Sequence, residues 1–199
     1  MTPCRQPTGF TLVELLIVLA VMGILVGLAM PSSEPGLIDQ LRAAAPIVAA
    51  DLAYGRSLAV GNNSNYRFSF DLNNNRYTLE HSGSNTALNP LPKSPYQIGA
   101  SLATQHVVDL DDLPRMGSAV RLAAVAKYAA SYQSVTTVEF GSLGQTTRSE
   151  PTTIWLSAGA ANNRRYIALT IDAVTGLVEI GTCTTVGPPP EVATATASN

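Results

Sequence analysis

The chain is poor in the residues on which most enzyme and metal sites depend. Only 13% of its 199 residues are charged, and its formal net charge is −2. It contains two histidines and two cysteines. Neither His81 nor His106 has a cysteine or a second histidine nearby, so the sequence predicts no zinc site. Because no Gly-x-Ser-x-Gly motif surrounds a serine, we predict a protein that is not an enzyme and needs no cofactor.

The mild acidity argues against a broad surface for nucleic acid, since such surfaces carry clustered basic residues. Arg164 and Arg165 form an adjacent basic pair of the kind that contacts DNA phosphates. An exposed arginine pair at the start of a strand is more often a solvated turn. The sequence therefore favours a protein that does not bind nucleic acid.

Two acidic segments resemble calcium sites in part. Asp71 to Asn75 imitates the start of a calcium-binding loop, but Arg76 stands where that loop needs glycine. We predict a turn there. Asp109, Asp111 and Asp112 form an acidic cluster that favours a solvated loop, with calcium binding left open.

The longest apolar stretch lies near the start of the chain. Residues 10–30 read FTLVELLIVLAVMGILVGLAM, and Glu14 is the only ionisable side chain among them. About 20 apolar residues are enough for a helix to cross the hydrocarbon core of a bilayer. An ordinary signal peptide has a shorter apolar region that ends in a small-residue cleavage site. The stretch therefore predicts a membrane span, in which an acidic residue indicates a function.

The segment 8–14, TGFTLVE, resembles the N-terminal signature of type IV prepilins and secretion pseudopilins. The resemblance implies that a prepilin peptidase removes residues 1–9 by cutting between Gly9 and Phe10, and that Phe10 is then N-methylated. It also implies that Glu14 attracts the N-terminal amine of a neighbouring subunit during assembly. Loss of the leader removes Cys4 and leaves Cys183 alone, so no intrachain disulfide is expected.

Charge asymmetry across the span predicts its orientation. Arg5 and the starting amine precede the span, and the first charged residue after it is Glu34. This places the N-terminus in the cytoplasm and the remainder in the periplasm, as a single-pass protein of the inner membrane. The resemblance further implies three kinds of partner: the prepilin peptidase, other major and minor pilins or pseudopilins, and the inner-membrane assembly platform.

A helical pattern continues after the span, over residues 31–62. Apolar residues recur at spacings of three, four or seven and describe one stripe of a helix, made of Leu37, Leu41, Ala45, Val48, Leu52 and Ala59. The sequence predicts a long, kinked helix from Phe10 to Gly61, with a break near Pro31 as the alternative.

Residues 63–182 are predicted to form a globular β-rich domain, which makes the whole chain an α+β protein. Alternating apolar residues between Tyr66 and Leu79 predict a β-hairpin, followed by a loop from Ser82 to Pro95. The Ala-rich stretch from Ser118 to Tyr132 predicts a second helix. Later segments rich in β-branched residues predict strands at 135–140, 152–157, 166–172 and 177–181. Residues 183–199 form a predicted disordered tail, because the chain lacks apolar content from Gly187 onward.

Motifs in the globular part resemble H-type minor pseudopilins and related minor pilins. They are Phe140-Gly141-x-x-Gly144, Ile154-x-Leu156, Ile167-x-Leu169, Thr175-Gly176-Leu177-Val178 and the segment 54–59, YGRSLA. The resemblance implies a long helix packed on an antiparallel sheet. It also implies a minor structural subunit of a type II secretion or type IV pilus filament. A DNA-binding minor pilin for DNA uptake and a membrane-tethered enzyme are the alternatives.

Overall fold

The computed structural model describes residues 11–29, 36–92, 103–113 and 120–193. The chain divides into two compact units, Met1–Glu34 and Pro35–Asn199. The predicted cleavage between Gly9 and Phe10 and the alternative helix break near Pro31 lie outside the described residues.

The first unit contributes one helix, α1, which spans Leu12–Ala29. Its large apolar side chains between Leu12 and Leu25 are 48–81% exposed. Helix α1 therefore presents an apolar surface all round its axis, which is the pattern of a helix that is covered by lipid or by other helices. Within the described ranges, no helix combines the length and the apolar character that a membrane crossing requires.

The second unit begins with helix α2, which spans Leu37–Gly61 and ends where the sequence predicted. The predicted stripe is the buried side of this helix, although Leu37 is only partly covered. Its fully buried side chains are Leu41, Ala44, Ala45, Val48, Leu52 and Ala59. Gly55 lets the helix approach the sheet closely, because a Cβ there would lie 2.4 Å from a ring carbon of Phe68.

The strands of the described residues are β1 Tyr66–Asp71, β2 Arg76–His81, β3 Gln105–Asp109, β4 Val120–Tyr128, β5 Tyr132–Ser134, β6 Thr137–Phe140, β7 Thr152–Ala158, β8 Arg165–Ile171 and β9 Val178–Ile180. They form two antiparallel sheets in the orders β3-β2-β1-β6 and β5-β4-β7-β8-β9. Helix α2 packs against strands of both sheets. The predicted α+β fold, with a helix on antiparallel sheet, is confirmed.

Burial along the hairpin of β1 and β2 follows the alternation of apolar and polar residues that predicted it. Tyr66, Phe68 and Phe70 on β1 are buried, and so are Tyr77 and Leu79 on β2. The residues between them along each strand are partly exposed. One face of the hairpin is therefore covered by the core, as the alternating pattern requires.

The predicted helix from Ser118 to Tyr132 is wrong for the described residues, which form strands β4 and β5. Strand β4 pairs with β5 on one side and with β7 on the other. Alanine favours helices in isolation, but here Ala124 and Ala126 pack around Trp155 in a small second core. Hydrogen bonding to two neighbouring strands and this packing outweigh the intrinsic preference of alanine.

The end of the chain also differs from its prediction. Thr184 forms an isolated antiparallel bridge with Tyr166, and helix α3 spans Pro190–Ala193. Val192 is fully buried and completes the second core around Trp155. The tail is thus attached to the second sheet at Thr184 and at Val192, and residues 194–199 lie outside the described part of the predicted tail.

Candidate functional site

Glu14 is placed at the start of the apolar helix. Its backbone N–H donates to Thr11 Oγ1 at 3.2 Å, so the threonine side chain caps α1. The residue is exposed, and it is the only ionisable residue of α1. The amide dipoles at a helix start favour a carboxylate in the first turn. The result is one carboxylate on an otherwise apolar helix surface.

The outer side of α2 carries small residues without charge through most of its length. These exposed residues follow each other at spacings of three and four: Ala43, Pro46, Ala50, Ala53 and Ser57. Residues at this spacing lie on one side of a helix. Small side chains in such a row allow the backbone of a second helix to approach closely.

Arg56 joins the end of α2 to two loops of the sheets. Its Nε donates to the backbone O of Gly144 at 3.1 Å and of Thr175 at 2.8 Å. Asp172 shapes the second loop, because its Oδ1 accepts from the N–H groups of Val174 and Thr175 and from Thr175 Oγ1. These hydrogen bonds, above all that from the Thr175 N–H, lower the pKa of Asp172. The loop therefore keeps an ionised carboxylate.

The two glycines at this junction are required by its geometry. Gly176 has φ +66°, and a Cβ at that position would lie 2.0 Å from the backbone O of Gly144. Gly144 itself has φ +85°. A side chain at Gly176 would be strained and would push the two loops apart. Both the segment 54–59 and the Thr175-Gly176 motif stood out in the sequence, but their contact across the fold did not.

Arg164 and Arg165, the predicted candidates for contact with nucleic acid, are placed at the start of β8. Arg165 Nη1 donates to the backbone O of Arg164 at 3.3 Å. Arg165 also lines an open depression of about 440 Å³ at the start of α2. Its other lining residues are Gly36, Leu37, Ile38, Asp39, Arg42 and Asn163. The depression thus places Arg165 close to a second basic residue, Arg42, and to the acidic Asp39.

The acidic segments have protein partners. Asp71 accepts from the N–H of Asn74 at 3.1 Å and from Asn74 Nδ2 at 2.6 Å, and these bonds, the side-chain one most, lower its pKa. The segment is a turn, as predicted. In the second segment, Asp109 Oδ1 accepts from the N–H of Asp111. Across the described ranges, no three His, Cys, Asp or Glu residues are grouped so as to hold a metal ion.

Asn75 is a buried polar residue whose contacts with the second sheet the sequence does not indicate. It is 1% exposed and has φ +52°. Its Nδ2 donates to Asp111 Oδ1 at 2.7 Å and to the backbone O of Val120 at 2.8 Å, while its Oδ1 accepts from the N–H of Leu122 at 2.8 Å. One side chain therefore connects the hairpin turn of the first sheet to β4 of the second.

His81 takes part in a Ser-His-Asn arrangement. Its Nε2 lies 2.7 Å from Ser64 Oγ, and its Nδ1 lies 2.9 Å from Asn89 Oδ1. This order resembles that of a nucleophile, a base and an orienting group. However, Gly83 covers the serine so closely that a Cβ there would lie 2.1 Å from Ser64 Oγ. We therefore interpret these hydrogen bonds as structural contacts that hold the loop after β2 in place.

The second histidine, His106, lies near a partly buried acid, Asp51. Tyr77 donates from its hydroxyl to Asp51 Oδ2 at 2.5 Å, which ties β2 to α2. Burial raises the pKa of Asp51, and the hydrogen bond from Tyr77 and the nearby His106 offset only part of that rise. The same burial, together with the carboxylate, raises the pKa of Tyr77. His106 is 3% exposed, and its Nδ1 has no hydrogen-bond partner.

Asp51→Asn is expected to stabilise the second unit at neutral pH. A carboxyl whose pKa is raised by folding contributes stability below its unfolded pKa of 3.8, and this contribution is lost as the pH rises through the folded pKa. Asparagine keeps an acceptor for Tyr77 without the partly buried charge. We expect the melting temperature of residues 35–199 to rise by a few degrees (~2–4 °C) at pH 7, and to change little at pH 3.

Tyr77→Phe is the matched control for this prediction. It removes the hydrogen bond that lowers the pKa of Asp51, so the loss of stability between pH 3 and pH 7 should become larger than in the wild type. Equal melting temperatures of wild type and Asp51→Asn at both pH values would show that ionisation of Asp51 does not lower the stability of the second unit.

Comparisons with known proteins give one motif and several similar folds. The prokaryotic N-terminal methylation motif matches residues 4–30. No curated protein sequence matches the chain. One similar solved structure is the type IV minor pilin FimU of Pseudomonas aeruginosa, with 15% identity and a TM-score of 0.48 over 76% of this chain and 94% of that one. Another is the minor pseudopilin EpsH from the type II secretion system of Vibrio cholerae, with 10% identity and a TM-score of 0.49 over 74% of this chain and 99% of that one.

Proposed function

We propose that this chain, whose N-terminal methylation motif confirms its resemblance to type IV prepilins and pseudopilins, is a minor structural subunit of a type II secretion or type IV pilus filament. The observation that carries the proposal is the motif together with Glu14, a single carboxylate at the start of an apolar helix. The apolar surface of α1 is suited to packing against other helices, and Glu14 is suited to form one specific charge pair. The proposed role is assembly without catalysis.

The proposed mechanism begins in the inner membrane. Residues 10–30 hold the subunit in the bilayer, with the N-terminus in the cytoplasm and the globular unit in the periplasm. A prepilin peptidase cuts between Gly9 and Phe10, and the new amine of Phe10 is methylated. The apolar surface of α1 then leaves lipid and packs against like helices in the core of the filament, assisted by the inner-membrane assembly platform.

The outer side of α2 supports the same mechanism. Its row of small residues, from Ala43 to Ser57, is exposed in the single chain. In a filament, these residues would let α2 pack closely against the helix of a neighbouring subunit. The sheets on the other side of α2 would then face outward and select partners among the major and minor subunits.

The Glu14→Ala variant tests the proposal. Removing the carboxylate makes the helix easier to bury in lipid, so we expect normal processing and membrane insertion. The same change deletes the attraction to the amine of the neighbouring subunit, which is worth several kcal/mol where water is excluded (~4 kcal/mol for charges 4 Å apart at an effective dielectric constant of 20). Co-purification with partner subunits from detergent-extracted membranes should therefore fall at least tenfold.

Glu14→Gln and Glu14→Asp are matched controls. Glutamine keeps the size of the side chain but not its charge, and it should fail like alanine. Aspartate keeps the charge and should retain part of the assembly. If Glu14→Ala co-purifies with its partners as well as the wild type does, the assembly role of this carboxylate is wrong.

A further inference from the structure

The outer face of the second sheet, which points away from α2, carries an apolar surface around Trp155. Successive side chains of a strand lie on opposite faces of its sheet. Trp155 therefore lies opposite to Ile154 and Leu156, which belong to the main core together with α2. Small side chains beside a large ring leave room for one further small apolar group. We call the surface, which four strands form, the Trp155 surface; its residues are Ala124, Ala126, Tyr132, Trp155 and Ala168.

The end of the chain crosses this surface. Thr184 forms two backbone hydrogen bonds of 2.8 Å with Tyr166 on β8. Gly187 follows so closely against Tyr166 that a Cβ there would lie 2.8 Å from a ring carbon. Helix α3 then contacts β4 and β5, where Val192 is fully buried. We call this segment, residues 184–193, the strap, because it extends from β8 to the other side of the second sheet.

The strap has few attachments for its length. Val192 is fully buried, whereas Thr185, Val186 and Glu191 are exposed. Segments that bury little apolar surface open locally at a small part of the free energy needed to unfold the whole domain. Among the described residues, the main core includes none of the strap. The strap can therefore leave the Trp155 surface while the main core stays intact.

The covered surface continues into an exposed one. The ring centroid of Tyr132 lies 5.5 Å from that of Trp155 and 4.8 Å from that of Tyr128. Tyr128 is 47% exposed. Tyrosine and tryptophan are enriched in the surfaces through which proteins bind each other. A partner can therefore contact Tyr128 while the strap is in place, and it can extend that contact to Trp155 when the strap leaves.

We propose that the strap is an autoinhibitory cover, and that in the filament a different subunit replaces Val192 on the Trp155 surface. The strap itself shows the chemistry of that partner: a small branched aliphatic side chain on a short turn that follows prolines. A minor subunit has other subunits as its neighbours, so the partner is a different chain. The inference rests on the proposed filament function, which assigns partner selection to the side of the sheets away from α2.

Val192→Asp in the full chain tests the strap. A charged side chain is not stable when buried against Trp155, so the strap should leave the surface. Trp155 is the only tryptophan of the chain. In the protein purified in detergent, its emission should shift to longer wavelength and its quenching by acrylamide should increase. Val192→Ala, a milder change, should give the same effects to a smaller extent.

Co-purification with partner subunits from detergent-extracted membranes measures the inhibition. A partner binds in proportion to the open fraction of the strap, which is about 10% or less for a minor state, so co-purification should rise about tenfold in Val192→Asp. The matched control is Val186→Asp, because Val186 is 76% exposed on the same strap. This variant should equal the wild type in fluorescence and in co-purification.

Two results overturn the inference. If Trp155 becomes exposed but co-purification stays the same or falls, the strap is only structural. If the emission of Trp155 does not change, Val192 does not hold the strap in place. The wild type reports separately on the filament function. A wild type that begins at Phe10 and co-purifies with partners, without a gain in Val192→Asp, rejects the strap alone, whereas an unprocessed wild type without partners rejects both proposals.

Discussion

Asn75→Ala is expected to lower the free energy of unfolding of the second unit by about 3–7 kcal/mol. The change leaves the N–H of Leu122 and the carbonyl of Val120 buried without the partners that Asn75 supplies, and each such group costs about 1–3 kcal/mol. Alanine also tolerates the φ of +52° less well than asparagine, at a cost of about 1 kcal/mol. Urea unfolding of residues 35–199, followed by the fluorescence of the single Trp155, measures the loss.

Two further variants separate the causes of this loss. Asn75→Gly removes the same hydrogen bonds but accepts the positive φ, so it should be about 1 kcal/mol more stable than Asn75→Ala. Asn75→Asp keeps an acceptor for Leu122 but places a second carboxylate against Asp111, so it should regain stability as the pH falls. A loss below 1 kcal/mol for Asn75→Ala would contradict the role of this side chain as the connection between the sheets.

Asn75 also shows what a sequence does not reveal. Its neighbours, Asn73 and Asn74, lie in the same predicted turn, and nothing local distinguishes the three. Its partners, Asp111, Val120 and Leu122, are 36 to 47 residues away along the chain. Local patterns identify turns, whereas a contact between two sheets depends on where the rest of the chain folds.

Patterns with a strong local signal were predicted well. The hairpin of β1 and β2 alternates large aromatic residues with polar ones, and the stripe of α2 repeats with the period of a helix. Strands β7 and β8 were found because β-branched and aromatic residues dominate them. In each case the order of apolar and polar residues within a short segment already matches the order of buried and exposed residues in the fold.

The two failures share one physical cause. Strand β4 is rich in alanine, and the segment around Val192 is rich in proline, alanine and threonine, so neither has the usual composition of its structure. Both are held by the same small core, in which Ala124, Ala126 and Val192 surround Trp155. Small residues leave room for a large aromatic ring, and this advantage appears only when distant segments meet.

The candidate site also contains residues that a local motif indicates and contacts that no local pattern indicates. The sequence indicated Gly9, Phe10 and Glu14 through one contiguous motif within the matched residues 4–30, and the roles of the three residues in processing and assembly stay predictions. It also marked the segments 54–59 and 175–178, but not the hydrogen bonds from Arg56 that connect them.

Processing at Gly9 provides the test with the clearest outcome. The leader is short and polar, and the motif spans the junction between Gly9 and Phe10. We expect N-terminal sequencing of the protein extracted from membranes to begin at Phe10. A start after Ala29 would instead identify an ordinary signal peptide and would contradict the filament proposal.

Gly9→Val should abolish this processing altogether, whereas Gly9→Ala should retain part of it. The resemblance of residues 8–14 to prepilins implies a peptidase that cuts after a small residue, and a β-branched side chain at the cut increases both bulk and stiffness. An uncut chain keeps residues 1–9 on its N-terminus, so no amine at Phe10 is available to pair with Glu14 of a neighbour. We therefore expect Gly9→Val to remain in the membrane as the longer form and to be absent from assembled filaments. Normal assembly of uncut Gly9→Val would show that the Phe10 amine is not part of the contact between subunits.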